Sequence, residues 1–273
     1  MKRWGLDDAK LIADTFTSKV FRARRGAETV IVKCIKPEGH EELNGIDYLR
    51  WRAGKGAVAV YDTHDGAVLM QDAGGVTLRA VHEREGEAAA NRILERVLPG
   101  LLAPLDAEFP QTLPTLNEKL DSLFSFAVRN DLAELSEGIG LAAALVPELL
   151  ASQRDIRPLH GDIHHENIIS RNGNDWLAID PKGILGDPHY DVANLFGNPI
   201  GDAATVLDPV RVSRLADMLT AALGLERKRI LQFALVHAAV SVAWSFEDAA
   251  PETRPDVRER AALIPLIQGL LLA

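Results

Sequence analysis

Residues 1–73 read as short β-prone runs, and residues 74–273 read as helices interrupted by one β-like stretch between Ile156 and Asp180. That asymmetry constrains the fold more than any other feature. It implies an α+β chain with a small sheet-rich lobe carrying one helix, followed by a larger, mostly helical lobe. In the first part, Leu11–Phe16, Val20–Arg24 and Glu28–Lys36 are the expected strands, with Arg25-Gly26 as a turn. Glu41–Arg52 is the expected helix, followed by strands at Gly56–Tyr61 and Ala67–Gln71 on either side of an Asp62–Gly66 turn. Asp72-Ala73-Gly74-Gly75 breaks the pattern and marks the boundary. Beyond it, Glu85–Leu98 should be a helix stopped by Pro99-Gly100. Leu116, Leu120, Leu123, Phe124 and Ala127 have helical spacing, as do Leu132, Leu135, Ile139 and Ala142. Asp208-Pro209 is a cap and first-turn pair that should open a late helix.

Hydrophobic residues make up 47% of the chain and charged residues 25%, which suits a packed core and argues against disorder. Cys34 is the single cysteine, so no internal disulfide forms. No apolar run reaches the roughly 18 residues of a membrane span. Ile230–Phe246 is broken by Gln232 and His237, and Ala261–Ala273 is too short. The start turns acidic at Asp7-Asp8, before a signal-peptide core develops, so a cytoplasmic location is expected.

The net charge of −9 divides unevenly: +4 over residues 1–55 and −13 over the remainder. An acidic body repels nucleic acid and anionic membrane surfaces and concentrates a small cation, whereas the mildly basic start suits a compact polyanion such as a nucleotide. The expected partner is a small cationic substrate, with no nucleic acid and no membrane, for a monomer or weak homodimer.

The segment His160-Gly161-Asp162-Ile163-His164-His165-Glu166-Asn167 leads into Ile168-Ile169-Ser170, then Arg171-Asn172-Gly173-Asn174, then Trp176–Asp180. Asn172-Gly173 between apolar runs signals a type I′ hairpin. That turn would pair Arg171 with Asn174 and set Asn167 opposite Ala178, with Asp180 further along the same face. Diagonal neighbours lie about 7–8 Å apart, so two oxygen-bearing side chains can share one Mg²⁺. Asp162 precedes Asn167 in the feeding loop, where a base that orients a hydroxyl belongs. The histidines carry no HExxH pattern, which disfavours a metal hydrolase, and His160 reads as a brace for the loop.

Lys33 alternates with Ile31 and Ile35 on one strand face, where an ammonium needs anionic partners. Phosphate oxygens and a helix carboxylate would serve, Glu42 first and Glu41 as the fallback. Lys36 reads as ordinary surface charge.

Together these residues resemble the protein-kinase-like bilobal fold in its aminoglycoside phosphotransferase branch. His160-Gly161-Asp162 with Asn167 matches that branch's HGDxxxxN loop, and Ile179-Asp180 matches its metal-binding aspartate. Leu11–Phe16, Tyr48-Leu49 with Trp51, Leu159–Ile168, Trp176–Gly183 and Gly186–Asn194 are similar to the streptomycin 6-phosphotransferase (aminoglycoside/hydroxyurea resistance kinase) family.

The resemblance implies a nucleotide-binding lobe over residues 1–73 and a lobe over 74–273 with the catalytic loop and acceptor site. It implies ATP and Mg²⁺, with Lys33 and Asp162 catalytic and Asn167 and Asp180 on the metal. Thr17 and Ser18 would cap phosphates, Gln71 and Ala73 would meet the adenine, and Asp191 would brace the catalytic loop. Two departures are visible: Asp14–Ser18 lacks the glycines of a phosphate loop, and Pro181 replaces the phenylalanine that usually follows the metal aspartate. No long activation segment precedes Asp187–Asp191, which favours small acceptors. Streptomycin carries guanidinium groups that suit the acidic body. Trp244, Glu247 and Asp248 are candidates to stack on and pair with one, alongside Asp162. A kinase for another small hydroxylated or amino-sugar metabolite would keep the same catalytic set. A non-catalytic nucleotide-binding module would be expected to lack Lys33, Asp162, Asn167 or Asp180, and all four are present.

Overall fold

A computed structural model describes residues 2–127, 136–245 and 255–272. The chain packs as two compact units, Met1–Leu113 with Glu166–Ile184, and Pro114–His165 with Leu185–Ala273. The partition expected at residue 73 follows secondary-structure content, whereas these units follow packing. The two helices after residue 77 and the 168–178 hairpin therefore fall within the first unit.

That unit runs β1 (Asp7–Asp14), β2 (Ser18–Arg25), β3 (Glu28–Ile35), α1 (Glu42–Arg52), β4 (Val60–His64), β5 (Ala67–Gln71), β6 (Val76–Thr77), α2 (Leu78–Glu85) and α3 (Glu87–Leu102). β1 to β5 form one antiparallel sheet in the order β1-β2-β3-β5-β4. Period-2 alternation turns Val30 and Val32 toward Ala23 and Leu69, with Trp4, Leu6 and Phe21 packed against them. Lys33, paired in register with Val20 and Val68, belongs to the opposite face together with Ile31.

Several elements differ from the sequence expectation. β1 begins at Asp7 rather than Leu11; as an exposed edge strand it carries no alternation that would mark its start. β4 continues through Asp62 to His64, and the turn narrows to Asp65 and Gly66, both at positive φ. The helix expected over Glu85–Leu98 is α3, which starts after Gly86 at φ 83° and passes through Pro99 to Leu102, while α2 before it was not anticipated. The buried Arg52 guanidinium holds the α3 terminus, donating to the carbonyls of Gly100 (2.6 Å) and Ala103 (2.8 Å). β6 had no sequence signal.

The remaining elements are α4 (Leu116–Ala127), α5 (Ser136–Ala151), β7 (Arg157–Leu159), β8 (Ile168–Ser170), β9 (Trp176–Ala178), β10 (Ile184–Gly186), α6 (Pro188–Asp191), α7 (Ala203–Val206), α8 (Pro209–Leu223), α9 (Arg227–Ser245) and α10 (Pro255–Leu272). β8 and β9 belong to the first unit, where β8 also pairs with β6. In the second unit α9 is the central helix, buried nearly all round and packed by α4, α5, α8 and α10. The expected Asp208 cap is present, accepting from the Val210 N–H at 2.9 Å. Of the second helical series, Ile139 and Ala142 are buried in α5, while Leu132 and Leu135 lie outside the described residues. β10, which pairs with β7, was not anticipated. Among the described residues no helix is long and apolar enough to cross a membrane.

The hairpin forms, but its register corrects the expected one. Ile168 pairs with Ala178 and Ser170 with Trp176, leaving a five-residue loop instead of a two-residue turn. Asn172 Oδ1 accepts from the N–H groups of Asn174 and Asp175, and Ser170 Oγ accepts from Gly173 N–H, so side chains satisfy the wider loop. Asn167 consequently lies level with Ile179, whose N–H donates to the Asn167 carbonyl at 2.9 Å, rather than opposite Ala178.

Candidate active site

In the first unit, Lys33 is 9% exposed, and its Nζ lies 2.5 Å from Asp180 Oδ1 and forms an ion pair with Glu42. Burial works against the charged ammonium, but Asp180 and then Glu42 outweigh it, and the pKa stands above its ordinary value. Glu42, not Glu41, is the partner. It lies in the first turn of α1 and also accepts a hydrogen bond from the Thr17 hydroxyl.

Close backbone approaches seat α1 on the segment after Asp180. A Cβ on Gly45 would come within 2.0 Å of the Pro181 carbonyl oxygen, and one on Gly183 within 2.3 Å of the Asn44 carbonyl oxygen. Asp180 itself holds φ at 56°, a left-handed conformation that costs a non-glycine residue about 1 kcal/mol or more. This break ends the strand geometry, so the side-chain direction of Asp180 does not follow from the hairpin alternation.

Lys33, Glu42 and Asp180 line a cavity of about 390 Å³ whose apolar wall includes Val20, Ile31, Met70, Ile169 and Ile179. Thr17, Ser18, Gln71 and Ala73 line it as well. The Ser18 N–H is engaged by Thr15 Oγ1 at 3.1 Å, and the Gln71 N–H by the Ala59 carbonyl at 2.9 Å. Asp72 shapes the hinge by accepting from Gly74 N–H and pairing with Arg22. Lys36 departs from the surface role expected of it: it bonds Asp14 at 2.7 Å and the Thr15 carbonyl, tying down the loop at residues 14–18.

Asn167, nearly buried, and Asp180, with a half-exposed side chain, both belong to this unit. An amide and a carboxylate are oxygen donors, a set that fits a hard divalent cation completing its coordination with phosphate and water.

The second unit holds Asp162. Asp191 of α6 accepts from the backbone N–H groups of His160 (3.0 Å) and Gly161 (2.6 Å). His160 is fully buried, and its Nδ1 accepts from the Asp162 N–H at 3.3 Å. The Asp162 carboxylate receives Asn194 Nδ2 at 2.9 Å on Oδ1, and its Oδ2 lies 3.8 Å from His164 Nε2. Burial, then the nearby Asp162 and Asp191 charges, push the Tyr190 phenol well above its ordinary range and keep it neutral.

Trp244 meets His237 edge-on at 6.4 Å, and Lys119 Nζ sits 4.8 Å from its ring centroid, so a cation of the chain itself already faces this ring. Burial, reinforced by Arg260, Lys119 and His164, holds His237 well below its usual pKa. Glu247 and Asp248 lie outside the described residues.

Sequence reasoning missed Thr17 as a partner of Glu42, and it missed Gly45, Asn194 and Arg260. A glycine inside a helical pattern, about 1 kcal/mol worse than alanine, was the available signal for Gly45. For Asn194 and Arg260 no local signal existed.

A relative named streptomycin 3''-kinase from Klebsiella pneumoniae is 33% identical over 253 residues, covering 91% of each chain. A streptomycin 6-kinase from Streptomyces griseus is 27% identical over 256 residues, covering 85% of this chain and 80% of its own. The crystal structure of a thermostable mutant of aminoglycoside phosphotransferase APH(4)-Ia, in a ternary complex with ADP and hygromycin B, superposes with a TM-score of 0.70 at 15% identity. That match covers 98% of this chain and 96% of the other, and at this identity it supports the shared protein-kinase-like fold. Residues 3–249 match the aminoglycoside/hydroxyurea antibiotic resistance kinase family, and the chain belongs to that family of phosphotransferases.

Proposed function

We propose that the protein transfers the γ-phosphoryl group of ATP to a hydroxyl of streptomycin. The observation that carries this reading is the buried Lys33 ammonium, held by Glu42 and Asp180 on the wall of a cavity with an apolar face. Lys33 binds the non-transferred phosphates, and its two carboxylate partners keep it charged and in place. Asn167 and Asp180 hold Mg²⁺, which when bound neutralises phosphate charge. Asp162 accepts the hydrogen bond of the acceptor hydroxyl and takes its proton. The acceptor oxygen bonds to the γ-phosphorus as the bond from that phosphorus to the β,γ-bridging oxygen breaks, releasing ADP. Positioning and charge neutralisation supply most of the acceleration.

The acidic remainder of the chain, −13 beyond residue 55, supports a cationic acceptor. The motif resemblance favours the 6-hydroxyl. The 33% identity to a relative named streptomycin 3''-kinase favours the 3''-hydroxyl as a second reading. A cytoplasmic monomer or weak homodimer completes the proposal.

The test is ATP consumption over a panel of streptomycin, other aminoglycosides, hydroxyurea and simple amino alcohols, with the phosphorylated position read by NMR. Streptomycin-dependent turnover is expected. Asp162→Asn should lower it by about 10²–10⁴ while leaving nucleotide affinity nearly unchanged. Turnover with a different acceptor alone would replace streptomycin, and ATP binding without turnover on any acceptor would overturn the kinase reading.

A further inference from the structure

We propose that Arg260 and Asn194 are positioning residues that aim the Asp162 carboxylate, an inference that rests on the role given to Asp162 above. Asn194 lies in the turn following α6, and Arg260 lies on α10. Arg260 Nη2 donates to Asn194 Oδ1 at 2.7 Å, and Asn198 Nδ2 donates to the same oxygen at 2.9 Å. An amide is nearly symmetric in shape, so its orientation is set by the partners on each side. Guanidinium nitrogens only donate, and with two donors fixed on Oδ1 the Asn194 Nδ2 is turned toward Asp162, where it donates to Oδ1 at 2.9 Å.

All three supporting side chains are buried, with Arg260 8% exposed, Asn194 6% and Asn198 1%. A buried charge and a buried amide are unfavourable unless hydrogen-bonded, and Arg260 Nη2 and both polar atoms of Asn194 are so engaged. The room is also built in. A Cβ on Gly197 would come within 2.2 Å of Arg260 Nη1, so only glycine there admits the guanidinium as placed. The neighbouring Glu259 anchors α10 beside it by accepting from the Gly201 N–H at 2.9 Å. With Arg260 removed, the amide loses the charged one of the two donors that fix its orientation, and a flipped Asn194 would present oxygen to the carboxylate. The relay thus fixes Oδ1 of Asp162 through the Asn194 amide.

Steady-state kinetics with ATP and streptomycin test the relay. Arg260→Met and Asn194→Ala should each lower kcat by about 10–100-fold, the scale of a misplaced reacting group, and leave the KM for ATP within about twofold. Arg260→Lys, which can still donate to Oδ1, should recover a large part of the loss. The double variant Arg260→Met with Asn194→Ala should fall no further than the worse single one. Asn194→Asp covers the case in which Arg260→Met does not fold: it keeps an acceptor for Arg260 and Asn198 but cannot donate to Asp162, so kcat should fall in a folded protein. Wild-type kcat in folded Arg260→Met or Asn194→Asp, or multiplicative losses in the double variant, would overturn the relay. Asp162→Asn measured in parallel separates the two claims. If it is inactive while the relay variants are not, only the relay fails; if it stays active, the reading of Asp162 fails and takes the relay with it.

Discussion

Asp187 shows how a single buried carboxylate ties several segments together. It is fully buried, caps α6 by accepting from the His189 N–H, and also accepts from the Arg154 N–H. His189 Nδ1 lies 2.6 Å from its Oδ1, and Arg229 Nη2 lies 2.7 Å from its Oδ2. Burial pushes this carboxyl up, but the His189 ring and backbone bonds and the Arg154 N–H together bring it down to about 2. Because the folded value lies below that of the unfolded chain, the unfolded state takes up the proton first. The stabilisation is therefore complete above about pH 4 and is lost as pH falls toward the folded value, amounting to about 2 kcal/mol. Urea denaturation across that range should show a steep fall in stability for the wild type and a flatter one for Asp187→Asn. Arg229→Met, which strands the buried carboxylate, should cost about 3–5 kcal/mol at neutral pH. Neither the Asp187 cap nor the ion pair of Asp187 with Arg229 on α9 was anticipated from the sequence, and the ion-pair partners are distant along the chain.

At the scale of elements, the seating of α1 on the segment after Asp180 decides whether Glu42 and Asp180 both reach Lys33. Gly45→Ala places a methyl group against the Pro181 carbonyl, where neither backbone can yield without moving α1. It should destabilise by about 1–3 kcal/mol, lower Tm by several degrees and weaken nucleotide binding measured by calorimetry. Gly140→Ala in α5, where a Cβ meets nothing within 4 Å, serves as the control and should be neutral or stabilising by up to about 1 kcal/mol. Element type was readable where a period or a cap marked it, as in β3, α4 and α8. Boundaries failed where side chains intervene: the distant Arg52 carries α3 past Pro99, and the local side chains of Ser170 and Asn172 widen the hairpin loop. That one-residue register change is what moved Asn167 from Ala178 to Ile179.

For the whole molecule the governing quantity is charge, −9 in total and −13 beyond residue 55. If this field draws in a cationic acceptor, the apparent KM for streptomycin should rise several-fold between low salt and about 0.3 M, as screening shortens the Debye length, while kcat changes little. An unchanged KM would remove electrostatic attraction from the account. The amino-acid sequence by itself determined the α+β succession, the Asp208 cap, the acidic imbalance, and a lysine on an apolar strand face that requires anions. It also carried the spacing of Asp162, Asn167 and Asp180, because all of these follow from the chemistry of near neighbours and from strand and helix periods. Tertiary structure settled Glu42, favoured from the sequence, over Glu41 as the partner of Lys33, and it alone decided that Gly45 must be small and that Arg260 reaches Asn194. Those outcomes depend on which surfaces pack together, and packing joins residues whose separation along the chain leaves no periodic trace.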